Sequence, residues 1–369
     1  MPELLELIAE ANRQLTICNA CRYCEGYCAV YPAVERRSII NQGDLAFLAD
    51  LCHDCQACYQ ACMYAPPHEF AVDIPKLLGE ARAASYRRYA WPGALAGLLA
   101  HPWWSAAGAS LLVALLALVA VAVHAGLGGM VEAQTGPGAF YRLIAYGVML
   151  TAALSISAAA LALLVGGFLR LWRDVGGRGP ELLDPKLWAA ALWDAAALRY
   201  LSGGGGGCYH PDPARPSSMR RVLHQVLVAG FALSFAATVA AAVEQNVLGR
   251  LPPYPLASAP VLLGVAGGLG LVMGGAGLLM LEQRRRTVGR DSASPVTRAM
   301  DIALLALVEV VAVTGLLLLV LRSTALMGPL LVVHLGAVGG LFATAPYGKF
   351  VHAVHRLAAL LRYEAESRT

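Results

Sequence analysis

Charged side chains are scarce in this sequence. Asp, Glu, Lys and Arg make up 14% of the residues, 58% are hydrophobic and the mean hydropathy is +0.58. Soluble globular domains contain about 25% charged residues, so the composition excludes a wholly soluble protein. The sequence also lacks a G-x-G-x-x-G fingerprint between a strand and a helix and a nucleotide-binding loop. A flavin would therefore have to be bound by a partner protein.

Cysteine is nearly absent after residue 62, since only Cys208 lies beyond the eight earlier cysteines. The first residues, MPELLELIAEANRQ, are partly acidic and contain no long apolar core, so they do not resemble a signal peptide. We therefore expect the cysteine-rich part to stay in the reducing cytoplasm. Clustered cysteines in that compartment indicate metal binding more than disulfides.

Long apolar runs are confined to the part of the chain after residue 100. About 20 apolar residues are needed to cross a bilayer. On that criterion we predict membrane spans at Trp104–His124, Leu143–Leu169, Val222–Val243, Ala259–Leu281, Met300–Leu321 and Ala325 to about Phe350. The fold class is therefore mainly α: a ferredoxin-like dicluster domain with helices, followed by a bundle of about six transmembrane helices.

Basic residues are distributed unequally between the two sides of this bundle. The segments on the side of the cysteines carry most of them, including eight between residues 170 and 221, whereas the other side has only Arg142, Arg250 and Arg322. The positive-inside rule then places the cysteine domain and both termini in the cytoplasm. The net charge of +4 is explained by topology, and we predict no nucleic-acid partner.

The eight clustered cysteines form one C-x2-C-x2-C-x3-C run twice, offset by 34 residues. Such a run supplies three thiolates to one [4Fe-4S] cluster, and its fourth cysteine binds the other cluster. The first predicted ligand set is Cys18, Cys21, Cys24 and Cys62. The second is Cys52, Cys55, Cys58 and Cys28. Structural zinc is the alternative, because cysteine pairs two residues apart also bind zinc.

Histidines in the spans are candidate haem b ligands, because polar residues inside a membrane are costly and haem is held by histidines on facing helices. We predict one or two haems, with His224 and His352 as a pair on the cytoplasmic side and His334, perhaps with His124, at a second haem. A straight sixth span would place His334 and His352 on one face, about 27 Å apart. Ordinary interfacial histidines are the alternative, and His355 competes with His352.

The long segment 170–221 contains two further features. Leu182–Leu201 predicts a helix that either lies along the membrane surface or packs as a short internal helix. Five glycines, Gly203–Gly207, then precede Cys208 and His210, which indicates a flexible linker or a loop that contacts a partner. Cys208 is interpreted as a plain buried or loop thiol, and His53, His68, His101 and His210 as ordinary or peripheral residues.

The sequence resembles the tricarballylate or citrate utilisation protein B family, which is similar to the C-terminal half of the cobalamin-biosynthesis protein CobZ. The resemblance covers nearly the whole chain and rests on the doubled cysteine runs, on Tyr200–Gly203 with Cys208 and Arg220–His224, and on His334–His352. It implies a bacterial inner-membrane protein. In that role it would accept electrons from a soluble FAD-dependent dehydrogenase, similar to tricarballylate dehydrogenase, and pass them through the clusters and haem b to quinone.

The predicted domains are a cytoplasmic di-[4Fe-4S] domain at 1–80, an interfacial linker at 81–103, and a six-helix cytochrome b-like domain at 104–362 with the cytoplasmic loop 170–221. The second hypothesis is a membrane cytochrome subunit of another respiratory complex, similar to heterodisulfide reductase or to the gamma subunit of nitrate reductase. A transporter is a third hypothesis, against which we find no inverted repeat or pair of broken helices.

Overall fold

The architecture is helical throughout the part of the chain described by the structure. This computed structural model describes residues 2–209, 212, 214–287 and 295–368, so His210 lies outside the described residues. Within those ranges there is no β-strand, and the only strand-like pairing is an isolated bridge between Cys208 and Ser217. The prediction of a mainly α fold is confirmed.

Five helices form the N-terminal head. They are α1 (Pro2–Cys21), α2 (Val30–Glu35), α3 (Gln42–Leu51), α4 (Ala57–Gln60) and α5 (Ile74–Tyr89). Helix α3 begins at a capping box, in which the Asn41 side chain accepts from the amide of Asp44 and the Asp44 carboxylate accepts from the amide of Asn41. Helix α5 begins at Asp73, whose side chain accepts from the amide of Lys76. These caps fix the two helices that flank the second cysteine run.

Among the described residues, six helices are long and apolar enough to cross a membrane. They are α6 (Pro102–His124), α8 (Tyr146–Asp174), α10 (Met219–Asn246), α11 (Ala259–Thr287), α12 (Pro295–Leu321) and α13 (Met327–Thr344). The remaining helices are α7 (Gly126–Met130), α9 (Pro185–Ala197) and α14 (Val351–Ser367). Each predicted span overlaps one of the six, so the chain is a multi-pass membrane protein.

Glycines allow two pairs of membrane helices to pack closely. A Cβ atom on Gly230 of α10 would lie 2.6 Å from the backbone nitrogen of Leu271 on α11. A Cβ atom on Gly336 of α13 would lie 2.6 Å from the Cβ of Ala114 on α6. Small residues at such crossings let backbones approach, which supplies dispersion contacts that lipid cannot replace.

The sixth span is not one straight helix, and this prediction was wrong. Helix α13 ends at Thr344, a 3-10 turn covers Ala345–Tyr347, and Gly348 is extended before α14 begins at Val351. Pro346 has no amide hydrogen to donate and its ring opposes a continuing α-helix. His334 and His352 therefore lie on different helices, and the face they were predicted to share does not exist.

The core of the head is completed by segments far along the chain. Leu48 and Leu78 of the head pack in one cluster with Trp172 at the end of α8, Leu187 of α9 and Leu360 of α14. Residues 351–362, which the sequence placed in the membrane domain, thus pack with the head. Helix α9 packs Leu187 and Ala191 into this core while Trp193 is 71% exposed, so the segment 182–201 contains a packed helix, and its position along the membrane surface stays a prediction. The head is consequently anchored to the bundle by shared core, not only by a linker.

Candidate redox site

The eight cysteines line two separate cavities in the head. One cavity is lined by Cys18, Cys21, Cys24 and Cys62, which we call the outer cysteine group. The other is lined by Cys28, Cys52, Cys55 and Cys58, which we call the inner cysteine group. These are the two sets that the interleaving rule groups together, and each set contains one cysteine from the other run. Their role as cluster ligands stays a prediction.

Unusual backbone conformations bend both cysteine runs around their cavities. Arg22 and Gln56 occupy equivalent positions of the two runs, and both have a left-handed backbone, with φ of 56° and 62°. Asp54 is also left-handed, with φ of 52°, and its amide donates to the Sγ of Cys52 over 3.4 Å. Such conformations are uncommon for residues other than glycine and often occur at functional sites. At Asp54 the left-handed conformation accompanies a hydrogen bond from its backbone amide to a cysteine sulfur atom.

Burial favours the protonated thiol at several of these cysteines in the metal-free protein. It raises the pKa of Cys18 to about 11 and that of Cys28 to about 12. Metal binding must therefore displace protons. No group of three or more His, Cys, Asp or Glu side chains in the described ranges converges closely enough to hold a single metal ion. Four cysteine sulfur atoms around one cavity are the ligand set of a [4Fe-4S] cluster and also that of a structural zinc ion.

A loop between α9 and α10 covers the inner cysteine group. The amide of Tyr209 donates to the carbonyl of Cys55 over 2.9 Å, and the buried Cys208 thiol lies 3.6 Å from the same oxygen. Gly203 has a φ of 54°, and a Cβ there would lie 2.7 Å from the Cβ of Ala57 and 3.8 Å from the Sγ of Cys55. The glycine run therefore packs over the inner cysteine group, and we call this loop the lid. Glycine count alone could not distinguish it from a linker.

Three arginines surround the backbone at the start of the second cysteine run. Arg82 of α5 and Arg356 of α14 each donate to the carbonyl of Cys52 over 2.6 Å. Arg220 of α10 donates to the carbonyls of His53 and Asp54 over 3.3 and 3.0 Å. The sequence analysis missed this cluster, because its members are far apart in the chain.

His53 lies between the inner cysteine group and the membrane helices. Arg356 lies 2.6 Å from the Nδ1 atom of His53, and because a guanidinium can only donate, Nδ1 accepts and Nε2 carries the proton. Burial, helped by the charge of Arg356, holds the pKa of His53 well below its ordinary value. His53 is a neutral, half-buried connection between the head and α10, not an isolated surface residue.

His224 of α10 and His352 of α14 face one another at the same end of the bundle. Their ring centroids are 6.4 Å apart and their planes are inclined by 85°. The Nδ1 of His352 donates to the carbonyl of Lys349 over 2.6 Å, which leaves its Nε2 with a free lone pair. Burial and the Lys349 charge lower the pKa of His352 well below its ordinary value. Both features keep this ring in the neutral form that binds metals.

The other predicted histidines are not brought together. His334 lies within α13, where its Nδ1 is 3.0 Å from the Oγ1 of Thr314 on α12. His124 lies at the opposite end of the bundle, with its Nε2 3.2 Å from the carbonyl of Tyr141. No contact joins these two rings among the described side chains. His355 instead contacts the buried carboxylate of Asp50 over 3.2 Å, so it does not take the place of His352.

Comparisons with known proteins cover nearly the whole chain. Residues 105–369 match the family model described as citrate utilization protein B, and residues 11–88 match the model of its Fer4-like domain. The chain is 40% identical over 368 residues to citrate utilization protein B of Escherichia coli, covering 99% of this chain and 94% of that protein. No solved structure matches the chain significantly.

Proposed function

The chain belongs to the citrate utilization protein B family, and from this premise we propose that it is a membrane electron-transfer protein. In this proposal it accepts electrons from a soluble FAD-dependent dehydrogenase and delivers them to the quinone pool, using two [4Fe-4S] clusters and haem b. One observation carries the proposal. Two four-cysteine groups lie in a head that shares its core with one end of a membrane bundle, and His53 beside the inner group contacts Arg220 and Arg356, which belong to the two helices that carry the facing histidine pair.

The cysteine groups have the donor set that iron-sulfur clusters need. The outer group, Cys18, Cys21, Cys24 and Cys62, would hold one cluster, and the inner group would hold the other. A [4Fe-4S] cluster supplies one-electron transfer, which a flavin partner that collects two electrons requires. The loop at Gly203 packs against Ala57 and Cys55 of the inner group, and the amide of Asp54 donates to the Sγ of Cys52.

The histidine pair has the chemistry to hold a haem iron. An imidazole nitrogen binds a first-row metal at about 2 Å, so rings with centroids 6.4 Å apart leave space for one ion between them. The hydrogen bond from His352 to the Lys349 carbonyl fixes the tautomer, as ligand histidines require. His334 has the same kind of support, because the hydroxyl of Thr314 also donates to the carbonyl of Val310 and so accepts from Nδ1 of His334. A second haem at His334 remains part of the proposal, without His124 as its partner.

The partner surface is proposed at the outer cysteine group. Tyr23 and Met63, which line its cavity, are each 59% exposed, and exposed apolar side chains beside a redox site are typical of a docking surface. The loops that face away from the head contain Arg142, Arg250 and Arg322, so the head side carries the larger basic charge. We therefore place the head, both termini and the dehydrogenase on the cytoplasmic side of the bacterial inner membrane.

Electron delivery can be tested with membranes that contain the protein. Reduced flavoprotein and a short-chain quinone are added in turn while haem absorption is followed, and metal analysis gives the iron content. We expect reduction by the flavoprotein and reoxidation by the quinone. Haem that is reduced but never reoxidised by any quinone would refute electron transfer to quinone. Absence of both iron and haem would refute the whole proposal. Membranes with a Cys55→Ser variant provide the matched control for reduction through the head.

A further inference from the structure

Three guanidinium groups meet at one stretch of backbone, although they come from the head, from a membrane helix and from the C-terminal helix. Arg82 is buried, and Arg220 and Arg356 are half-buried. Their donors reach the carbonyls of Ala49, Leu51 and Cys52, and of His53 and Asp54. All of these oxygens belong to the last turn of α3 or to the residues that carry the inner cysteine group. We call the three residues the arginine cluster.

In the part of the chain that the structure describes, no carboxylate lies within ion-pair distance of the arginine cluster. The two nearby buried acids have other partners. Asp50 accepts from Ser85 over 3.1 Å and contacts His355, and Asp54 pairs with Arg285 over 3.6 Å. The cluster therefore holds three positive charges whose polar contacts, within the described residues, are backbone carbonyls, the ring of His53 and the thiol of Cys208. Asp50, Asp54 and Asp301 act on these arginines from beyond ion-pair distance. Positive charge removed from water without a directly paired counter-charge is costly.

We propose that the arginine cluster is the counter-charge of the cluster bound by the inner cysteine group and raises its reduction potential above that of the outer one. This inference rests on the proposed function, because it requires a [4Fe-4S] cluster in the inner group. Four thiolates give such a cluster a net negative charge, which increases on reduction. Nearby positive charges in a medium of low dielectric favour the more negative form. Electrons would then be drawn from the exposed end of the head toward the membrane.

Among the side chains that the structure describes, no equivalent set of charges surrounds the outer cysteine group. Arg22 lies within its run, but the Arg22 side chain is 59% exposed and pairs with Glu35 over 3.7 Å. Water and the paired carboxylate screen such a charge strongly. The two runs have the same cysteine spacing, so their different electrostatic surroundings come from residues outside the runs. Arg22 therefore provides a matched control position.

The arginines also satisfy carbonyls at the C-terminal end of α3, where cations are favourable in any helix. Capping alone predicts a change in stability without a change in redox potential. The two roles are separated by measuring both quantities in the same variants. Arg82→Lys keeps the charge but loses the bidentate geometry, whereas Arg82→Gln loses the charge.

The test is an EPR-monitored redox titration of the purified, iron-loaded protein. The signal that disappears in Cys55→Ser identifies the inner cluster. We expect Arg82→Gln, Arg220→Gln and Arg356→Gln each to lower the midpoint potential of that signal, and Arg22→Gln to leave both signals in place. Arg82→Lys should retain most of the wild-type potential. Iron content and thermal unfolding are measured on the same samples, so a variant that fails to fold is replaced by the other two.

The possible results are distinct. Full iron content with unchanged midpoints in all three Gln variants would overturn the inference and leave the arginines as helix caps. A shift of the haem midpoint alone would overturn it too, and would assign the counter-charge to haem propionates. If iron analysis of the wild-type protein shows no cluster in the inner group, the proposed function is refuted, and the inference is refuted with it. A shift confined to the inner signal supports the inference.

Discussion

Gly203 packs directly against Ala57 and Cys55 in the lid over the inner cysteine group, which makes Gly203→Ala a sharp test of the arrangement. The new Cβ would lie 2.7 Å from the Cβ of Ala57, which is closer than carbon atoms pack, in a residue whose φ is 54°. A left-handed conformation costs a non-glycine residue about 1–2 kcal/mol, and overpacking costs about 1–3 kcal/mol. The closed lid should therefore lose about 2–5 kcal/mol relative to the open one.

Even the smaller loss of lid stability, about 2 kcal/mol, would have a measurable effect. About 2 kcal/mol raises the fraction of open lid about 30-fold, since about 1.4 kcal/mol corresponds to a tenfold change. The amide of Tyr209, which donates to the Cys55 carbonyl, should exchange with deuterium faster by that factor. Iron should also be lost faster to a chelator in air, because the inner sulfur atoms become accessible.

Gly206→Ala is the matched control within the same run. Gly206 has an ordinary φ of −75°, and a Cβ there would meet nothing within 4 Å. We expect this variant to change stability by less than about 1 kcal/mol. If Gly203→Ala and Gly206→Ala show the same exchange and the same rate of iron loss, the glycine run is only a linker and the lid interpretation is refuted.

Three other predictions concern the proposed cofactors. Cys21→Ser and Cys55→Ser should each remove about four irons per chain, and unchanged iron or stoichiometric zinc would contradict the assignment. His352→Ala should abolish one haem signal in the optical spectrum, whereas His101→Ala should retain it, and a wild-type spectrum in both would show that the pair is wrong. Chelation of the iron should lower the unfolding temperature of the head, because a ligand bound only to the folded state stabilises it; an unchanged temperature would mean that the head folds without clusters.

Local patterns were sufficient for the larger features of the chain. Membrane spans were predictable because the transfer free energy of a helix is close to a sum over its residues. The grouping of Cys28 with the second run and Cys62 with the first also followed from spacing, because a two-residue gap limits which thiols can reach one cavity. Depth in the membrane likewise suggested His224 and His352 as a pair. Their facing rings agree with that hypothesis, while haem binding itself stays a proposal.

Only the tertiary structure decided how distant segments meet. The helix break at Pro346 places His352 in α14 and not in the sixth membrane span. The sequence did not predict this break, because the apolar residues of the span continue past the proline. The loop with Gly203 and Cys208 proved to be a lid because its backbone touches Ala57 and Cys55, contacts that depend on how α9 and α10 pack. Arg82, Arg220 and Arg356 converge on the backbone of Cys52–Asp54 from three segments, and each one alone is an ordinary basic residue. The packing of segments that are distant in the chain determines these electrostatic surroundings. They could therefore not be predicted from the spacing of residues along the sequence.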